Sequence, residues 1–428
     1  MKIFKFGGAS VKNAGAVRNV AQILERYRTE RIVVVVSAMG KTTNALEKVL
    51  ALFYEKSDWK LALEGIREFH RDIVNELFDK DDPGGIHTRT DLIFDEVGSY
   101  LQQAGRLEAD EIYDKVISVG ELVSTTIVEA YLNKKEYSTN WMDARRLVRT
   151  DSRFRNARVD WNSTRTNVRL EVERYPRVAF FVTQGFIGSD LRGRTVTLGR
   201  EGSDYTAAIM AHCLEAESVT IWKDVPGILS GDPKMVKNTV LYKELPYREA
   251  AEMTYYGASV IHPKTIGPLA EKNIPLYVRS FLKYDQPGTV IHDCEVEDLS
   301  PAVIFKLNQV LLTFGMPGFT FINEKHLMLI YHALDTFDIR LNVMQNSAVS
   351  LSICADYRED KLQEMLKYLG NDFQVRHNND NIRLITIKNF DEDVLASVLA
   401  GLLPDDEVLM EQRTRSNVHL VVRSVAPD

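Results

Sequence analysis

Cysteine is scarce in this chain. Cys213, Cys294 and Cys354 are scattered through 428 residues. Their number is odd, and their spacing fits neither a disulfide framework nor a thiolate metal motif. That points to a reducing compartment. Long apolar runs are also missing. Stretches such as 32–36 and 178–182 suit buried strands and fall far short of the roughly 20 residues that span a membrane. The first lysines are not followed by an apolar run of the signal-peptide kind, so a cytoplasmic protein with no membrane partner is expected. Excess positive charge is absent as well. Lys and Arg number 53 against 60 Asp and Glu, a net charge of -7, which argues against a general nucleic-acid binder. The Walker phosphate-loop pattern does not occur.

What is present is an ordinary globular composition, 45% hydrophobic and 26% charged, in a chain long enough for two or three domains. Short apolar runs at 3–6, 32–36, 179–183, 219–222 and 276–278 alternate with amphipathic helices. Continuous apolar strands separated by helices predict an α/β fold, a mostly parallel sheet covered on both faces. Residues 45–130 are charged and helical, broken at 81–85, and read as an insertion beside the sheet. Turn chemistry at Gln286-Pro287-Gly288 marks a boundary within 285–301. Beyond it, strands at 310–314, 339–344, 349–355, 384–387, 408–411 and 418–422 alternate with helices at 327–337, 359–369 and 394–402. They suggest two copies of a small α+β unit, the second with no room for a closing helix. The expected domains are 1–290 and 301–428.

Six segments carry candidate chemistry. Lys5-Phe6-Gly7-Gly8 ends a strand in a diglycine turn before a helix; such amides suit a phosphate, although the turn serves structure equally well. Ser37-Ala38-Met39-Gly40 with Thr42-Thr43-Asn44 puts small polar residues at a strand's C-terminal end, where open α/β sheets bind ligands. Thr43 or Asn44 could equally cap a helix. Glu121 sits among apolar and small residues, so it needs a cation, either a ligand's ammonium or an internal Lys or Arg. Thr195–Thr206 contains a glycine loop presenting Arg200, which can grip a carboxylate bidentately, and Asp204, which could be a plain N-cap of a helix starting at Tyr205. Lys223-Asp224 and Lys234 flank a Pro-Gly turn that suits a nucleotide or solvent alike. His262, before a proline, reads as structural, with Lys264 close behind.

Together these blocks, with Thr183-Gln184-Gly185-Phe186-Ile187-Gly188 and Trp141-Met142-Asp143-Ala144-Arg145, resemble aspartate kinases of the amino-acid kinase family. The similarity runs in family order from Lys2 to about Ser280, and the C-terminal units look like paired ACT regulatory domains. The resemblance implies transfer of the γ-phosphoryl of ATP to the side-chain carboxylate of aspartate, the first step toward lysine, threonine and methionine. Lys5, Gly7 and Gly8 would hold the phosphates, and Lys223, Asp224, Lys234 and Lys264 would lie along the nucleotide. Thr43, Glu121, Phe186 and Arg200 would surround aspartate, Glu121 at its ammonium and Arg200 at its α-carboxylate. Asp204 would orient Lys5, making Lys5, Asp204 and Arg200 the catalytic set. Mg²⁺ would be held mainly through ATP, with no protein metal site. No histidine base is required, because an aspartate carboxylate with a pKa of about 3.9 is already ionised. What the reaction needs is alignment and positive charge.

Some positions depart from the family pattern. Glu201 stands where many relatives have glycine, and is expected to point away or pair with an arginine. Leu229 replaces an aromatic residue, and Ser259 a lysine. An amino-acid effector would contact Met316, Gly318, Asn342 and Ser347 at an ACT dimer interface, giving a homodimer or larger oligomer. Lysine-sensitive relatives carry acids at the positions of Asn342 and Ala348. A fused homoserine dehydrogenase is not expected after Asp428. Two other readings stay open, a kinase for another small carboxylate or a nucleotide, and a catalytically weak amino-acid sensor.

Overall fold

The computed structural model describes residues 1–78, 84–258, 260–318, 320–370, 372–402 and 406–424. It divides into two compact units. The first comprises Met1–Ile228, Leu241–Ala251 and Val260–Glu295, and the second Leu229–Val240, Glu252–Ser259 and Val296–Asp428.

The first unit is built on β1 (Lys2–Phe6), β2 (Ile32–Val36), β3 (Thr139–Met142), β5 (Phe180–Gln184), β8 (Ser218–Lys223), β9 (Glu244–Pro246), β10 (Leu276–Ser280) and β11 (Thr289–His292). The sheet order is β3-β5-β2-β1-β8-β10-β11-β9. Every pairing is parallel except β10 with β11. The α/β class read from the sequence is therefore what forms. The reason is visible in β2, Ile-Val-Val-Val-Val with all five residues buried. Such β-branched residues suit a strand covered on both faces. A small three-stranded sheet, β4 (Arg149–Thr150), β6 (Ile187–Asp190) and β7 (Thr195–Thr197), stands beside it.

Helices flank the sheet in this unit: α1 (Ala14–Glu25), α2 (Thr42–Tyr54), α3 (Trp59–Phe78), α4 (Ile86–Gln102), α5 (Ala109–Lys134), α6 (Ala144–Leu147), α7 (Trp161–Arg174), α8 (Gly202–Leu214), α9 (Tyr247–Tyr255) and α10 (Pro263–Glu271). Side chains alternate along β1. Phe4 and Phe6 join one apolar cluster with Val17, Ile23, Val34 and Trp222, while Lys5 faces Asp204 of α8. The insertion is more integral than its sequence suggests. Helix α5 is buried along nearly its whole length and packs on β2, β3 and β5. Of the break expected at 81–85, residues 81–83 lie outside the described residues, and Gly85 caps α4 in the left-handed region.

In the second unit, β12 (Ala302–Gly315), β13 (Leu341–Asn346), β14 (Ser350–Asp356), β15 (Gln374–Lys388), β16 (Glu407–Arg413) and β17 (Asn417–Arg423) form one antiparallel sheet in the order β13-β14-β12-β15-β17-β16. Helices α11 (Glu324–Thr336) and α12 (Glu359–Leu369) cover one half, and α13 (Glu392–Ala400) the other. The two repeats expected from sequence share this sheet through the long β12–β15 pairing. The result is an ACT-like α+β arrangement. Its boundary is less simple than 301–428, because two earlier segments join it. The Ser230 carbonyl accepts from Val303 N–H at 2.7 Å, Val236 packs with Val303 and Ile385, and Tyr256 lies against His419 with tilted rings whose centres are 4.5 Å apart. Contacts so distant in sequence leave no local signature.

Among the described residues no helix is long and apolar enough to cross a membrane.

Candidate active site

The C-terminal ends of β5, β2, β1 and β8 lie side by side: Phe6 is in register with Val36 and Trp222, and Val36 with Gln184. Loops leave all four ends, the position at which open parallel sheets bind ligands. Two glycines let these loops close on one another. A Cβ on Gly8 would stand 2.7 Å from the Gly40 carbonyl oxygen, and one on Gly202 would stand 2.6 Å from Phe186 Cδ2.

Lys5 is only 6% exposed. Its Nζ lies 2.6 Å from Asp204 Oδ1, and Lys223 Nζ lies 3.2 Å from Asp204 Oδ2. Asp204 is wholly buried in the first turn of α8. The helix starts at Gly202, one turn before the sequence reading, so Asp204 is not its N-cap. Burial by itself would push the Asp204 carboxyl up, but the two ammonium groups outweigh it and hold the carboxyl below the usual range. Burial pulls Lys223 down, and Asp204 with Glu201 more than restores it. Two ammonium groups thus share one buried carboxylate, beside the first turn of α8 and the 3-10 turn Gly8–Val11. Lysine ammonium groups beside two helix starts are the elements from which strand-end anion sites are built, although Glu201 takes part of the Lys223 charge.

Glu121, on α5, is 3% exposed. Its Oε1 accepts from the Ala38 N–H at 3.3 Å, and its Oε2 has no partner. Burial raises its pKa to about 8, against the opposing effects of the Ala38 N–H and the Lys5 charge. Among the described residues no Lys or Arg forms an ion pair with it, so the internal-cation alternative is not what the fold provides. A buried acceptor left without a donor costs about 1–3 kcal/mol and suits a cationic ligand. Beneath it, Thr125 Oγ1 accepts from Gln184 Nε2 at 2.7 Å and from Trp141 Nε1 at 3.0 Å, fixing α5 to the strand ends.

Thr43 is half-buried in the first turn of α2, whose N-cap is Lys41 rather than Thr43 or Asn44. Phe186 has φ 71°, in the left-handed region. Its N–H donates to Thr206 Oγ1 at 2.9 Å, and such strain gathers at functional sites. Arg200 is exposed. Lys264, at the start of α10, donates to Asn156 Oδ1 at 2.5 Å, and that oxygen would lie 3.1 Å from a Cβ on Gly199, so Lys264 neighbours the Arg200 loop. His262 is the N-cap of α10, a structural role. Gly7 lies against Lys5, a Cβ there standing 3.4 Å from Nζ. Asp224 is exposed just after β8. Lys234 and Leu229 belong to the second unit, where Asp232 Oδ1 accepts from the Lys234 N–H at 2.9 Å. Ser259 lies outside the described residues.

One expectation needs correction. Among the described residues Glu201 meets a lysine rather than an arginine, its Oε2 lying 3.7 Å from Lys223 Nζ, with φ 55°. Asn342 is 7% exposed, and its side chain is taken up inside the second unit. It donates to Gln309 Oε1 at 2.6 Å and Asp356 Oδ1 at 2.7 Å and accepts from Lys306 at 2.8 Å. Three of its four hydrogen-bonding positions are used within the unit. Met316 is half-buried, Gly318 has φ 73°, and exposed Ser347 bonds Ser350.

Sequence reasoning missed Asn156 and Asp114. Asp114 is buried on α5 and accepts from Thr197 N–H at 2.8 Å, Thr197 Oγ1 at 2.7 Å and Arg155 N–H at 2.9 Å. It pins the strand that leads to the Arg200 loop; the only available signal was a carboxylate two turns before Glu121.

Residues 1–280 match the model of the amino acid kinase family. The lysine-sensitive aspartokinase 3 of Escherichia coli K12 is 33% identical over 359 residues, 83% of this chain and 78% of that protein. The bifunctional aspartokinase/homoserine dehydrogenase of Daucus carota is 36% identical over 294 residues, 68% of this chain but 32% of that longer protein. A crystal structure of E. coli aspartokinase III in complex with aspartate and ADP has a TM-score of 0.85 at 28% identity, covering 99% of this chain and 96% of that one. With a cationic strand-end site and a family match spanning most of its length, the chain belongs to the amino acid kinase family.

Proposed function

We propose that this chain is an aspartate kinase, which transfers the γ-phosphoryl of ATP to the side-chain carboxylate of L-aspartate to give 4-phospho-L-aspartate. The observation that carries the reading is the pairing of two sites at one sheet edge. One is the Lys5–Asp204–Lys223 cluster beside helix-end amides, and the other is the buried, half-unsatisfied Glu121. The relative crystallised with aspartate and ADP supports both ligands.

In this reading, aspartate seats its ammonium on Glu121. Charging that carboxylate then offsets its burial, and Arg200 takes the α-carboxylate. The attacking side chain is already an anion, so the obstacle is repulsion between two anions. Lys5, steered by Asp204, and the amides at Gly8 draw the phosphates in and stabilise charge on the transferring group. Lys223 and Lys264 extend the cationic track toward the nucleotide, with Asp224 lying beside Lys223 along it. Asp204 is engaged by two lysines. Mg²⁺ would be held mainly by ATP oxygens, neutralising phosphate charge. Glu201, sharing Lys223, weakens ATP binding relative to a glycine. Regulation by an amino acid, and dimer formation through the ACT-like sheet, are part of the proposal and draw on the lysine-sensitive relative.

The test is trapping of the acyl phosphate as hydroxamate with Mg-ATP and aspartate. Wild type should form it, glutamate and acetylglutamate should not replace aspartate, UMP should release no ADP in a coupled assay, and Lys5→Ala should lose at least a hundredfold in kcat while staying folded. No hydroxamate from wild type would instead favour an amino-acid sensor.

A further inference from the structure

A second cluster of chemically able side chains lies away from the strand ends just described. The edge of the large sheet is β9 paired in parallel with β11, with Val290 opposite Glu244 and His292 opposite Pro246. His292 closes β11, and two residues later the chain reaches Cys294. The ligand atoms of Glu244, His292 and Cys294 all lie within 4.8 Å of one another. His292 Nε2 and Glu244 Oε2 are already 3.2 Å apart. Glu244 is exposed, and His292 and Cys294 are half-buried, so an ion could enter from solvent.

We propose that Glu244, His292 and Cys294 form a binding site for a thiophilic divalent cation of the Zn²⁺ class. The donor set is one carboxylate, one imidazole and one thiolate. Zn²⁺ accepts all three, whereas Mg²⁺ and Ca²⁺ prefer oxygen alone. Bond lengths of about 2.0–2.3 Å require donor separations of roughly 3.3–3.8 Å in a tetrahedron. The His292–Glu244 pair, at 3.2 Å, is already close to this, and the Cys294 thiol, within 4.8 Å of both, has only a short distance to close. Water fills the fourth position. Binding exchanges the Cys294 S–H proton for the metal and releases it to solvent, with no change of oxidation state. The effect is to fasten the segment after β11 to the sheet edge. The reading is independent of the kinase proposal.

The experiment is a Co²⁺ titration of tag-free, chelator-treated protein, followed by absorption spectroscopy. Wild type should bind one equivalent, with a thiolate-to-cobalt charge-transfer band in the near ultraviolet and visible bands of tetrahedral intensity. Zn²⁺ should displace it, and Mg²⁺ should not. Cys294→Ser should abolish the charge-transfer band, and His292→Ala should weaken binding at least tenfold, with circular dichroism confirming the fold of each. Absence of the band in wild type, or its persistence in Cys294→Ser, overturns the proposal.

Discussion

Replacing Glu121 by Gln should make the ligand-free protein more stable at alkaline pH while destroying its use of aspartate. The folded carboxyl titrates at about 8 against an ordinary 4.5 because burial disfavours its charge. A raised folded value means that its favourable contribution is complete below about pH 4.5 and gone above about pH 8. At about 1.36 kcal/mol per unit the whole effect is at most ~5 kcal/mol. Between pH 6 and pH 9 the wild type gives up about 2–3 kcal/mol from this group. Glutamine does not titrate, and its Oε1 can still accept from Ala38 N–H. Other groups, such as Asp114 with its pKa raised to about 6 by burial, titrate in both proteins and cancel. The Tm difference, Glu121→Gln minus wild type, should therefore grow by roughly 2–5 °C from pH 6 to pH 9. Scanning calorimetry at the two pH values measures it. Adding aspartate should raise the Tm of wild type alone, since its ammonium needs the ionised carboxylate. A Tm difference that does not change with pH would refute the assignment of a buried, unpaired carboxyl.

Three further outcomes follow from the same contacts. Asp204→Asn leaves two lysines around a neutral group in a fully buried position, and should cost about 3 kcal/mol, seen as a lower thermal midpoint at pH 7, together with most of kcat. Glu201→Gly relieves a left-handed glutamate and frees Lys223; the ATP KM should fall about two- to fivefold, an effect of under ~1 kcal/mol for a long contact to an exposed carboxylate, and an unchanged or higher KM would count against that contact. Asn342→Ala strips donors from Gln309 and Asp356 and should cost about 1–3 kcal/mol in urea unfolding, without changing the aspartate KM.

Apolar strands such as Ile32–Val36 could be read directly, because five consecutive β-branched residues have few alternatives to a buried parallel strand. The diglycine after β1 and the glycine loop before α8 were legible for the same reason, as local backbone needs written in residue type. Glu121 could be singled out as a carboxylate in an apolar stretch, but its partner could not, since Ala38 lies 83 residues away. The helix starting at Gly202 rather than Tyr205 turned Asp204 from a cap into a bridge. The internal partners of Asn342 were not legible either, since the pairing of β13 with β14, and of β14 with β12, brings Gln309, Lys306 and Asp356 around it.

The sequence alone determined the central apolar strands of the large sheet, that this sheet is mostly parallel, and which charged residues sit at strand ends, but not the shorter strands β3, β4, β6, β7, β9 and β11. Those are consequences of local periodicity and of residue type. Only the tertiary structure decided which charges meet: Lys5 and Lys223 on one carboxylate, Glu121 with an oxygen left over, and Glu201 facing a lysine. Such pairings depend on strand order and on ångström-scale distances across the fold, and no local pattern encodes either.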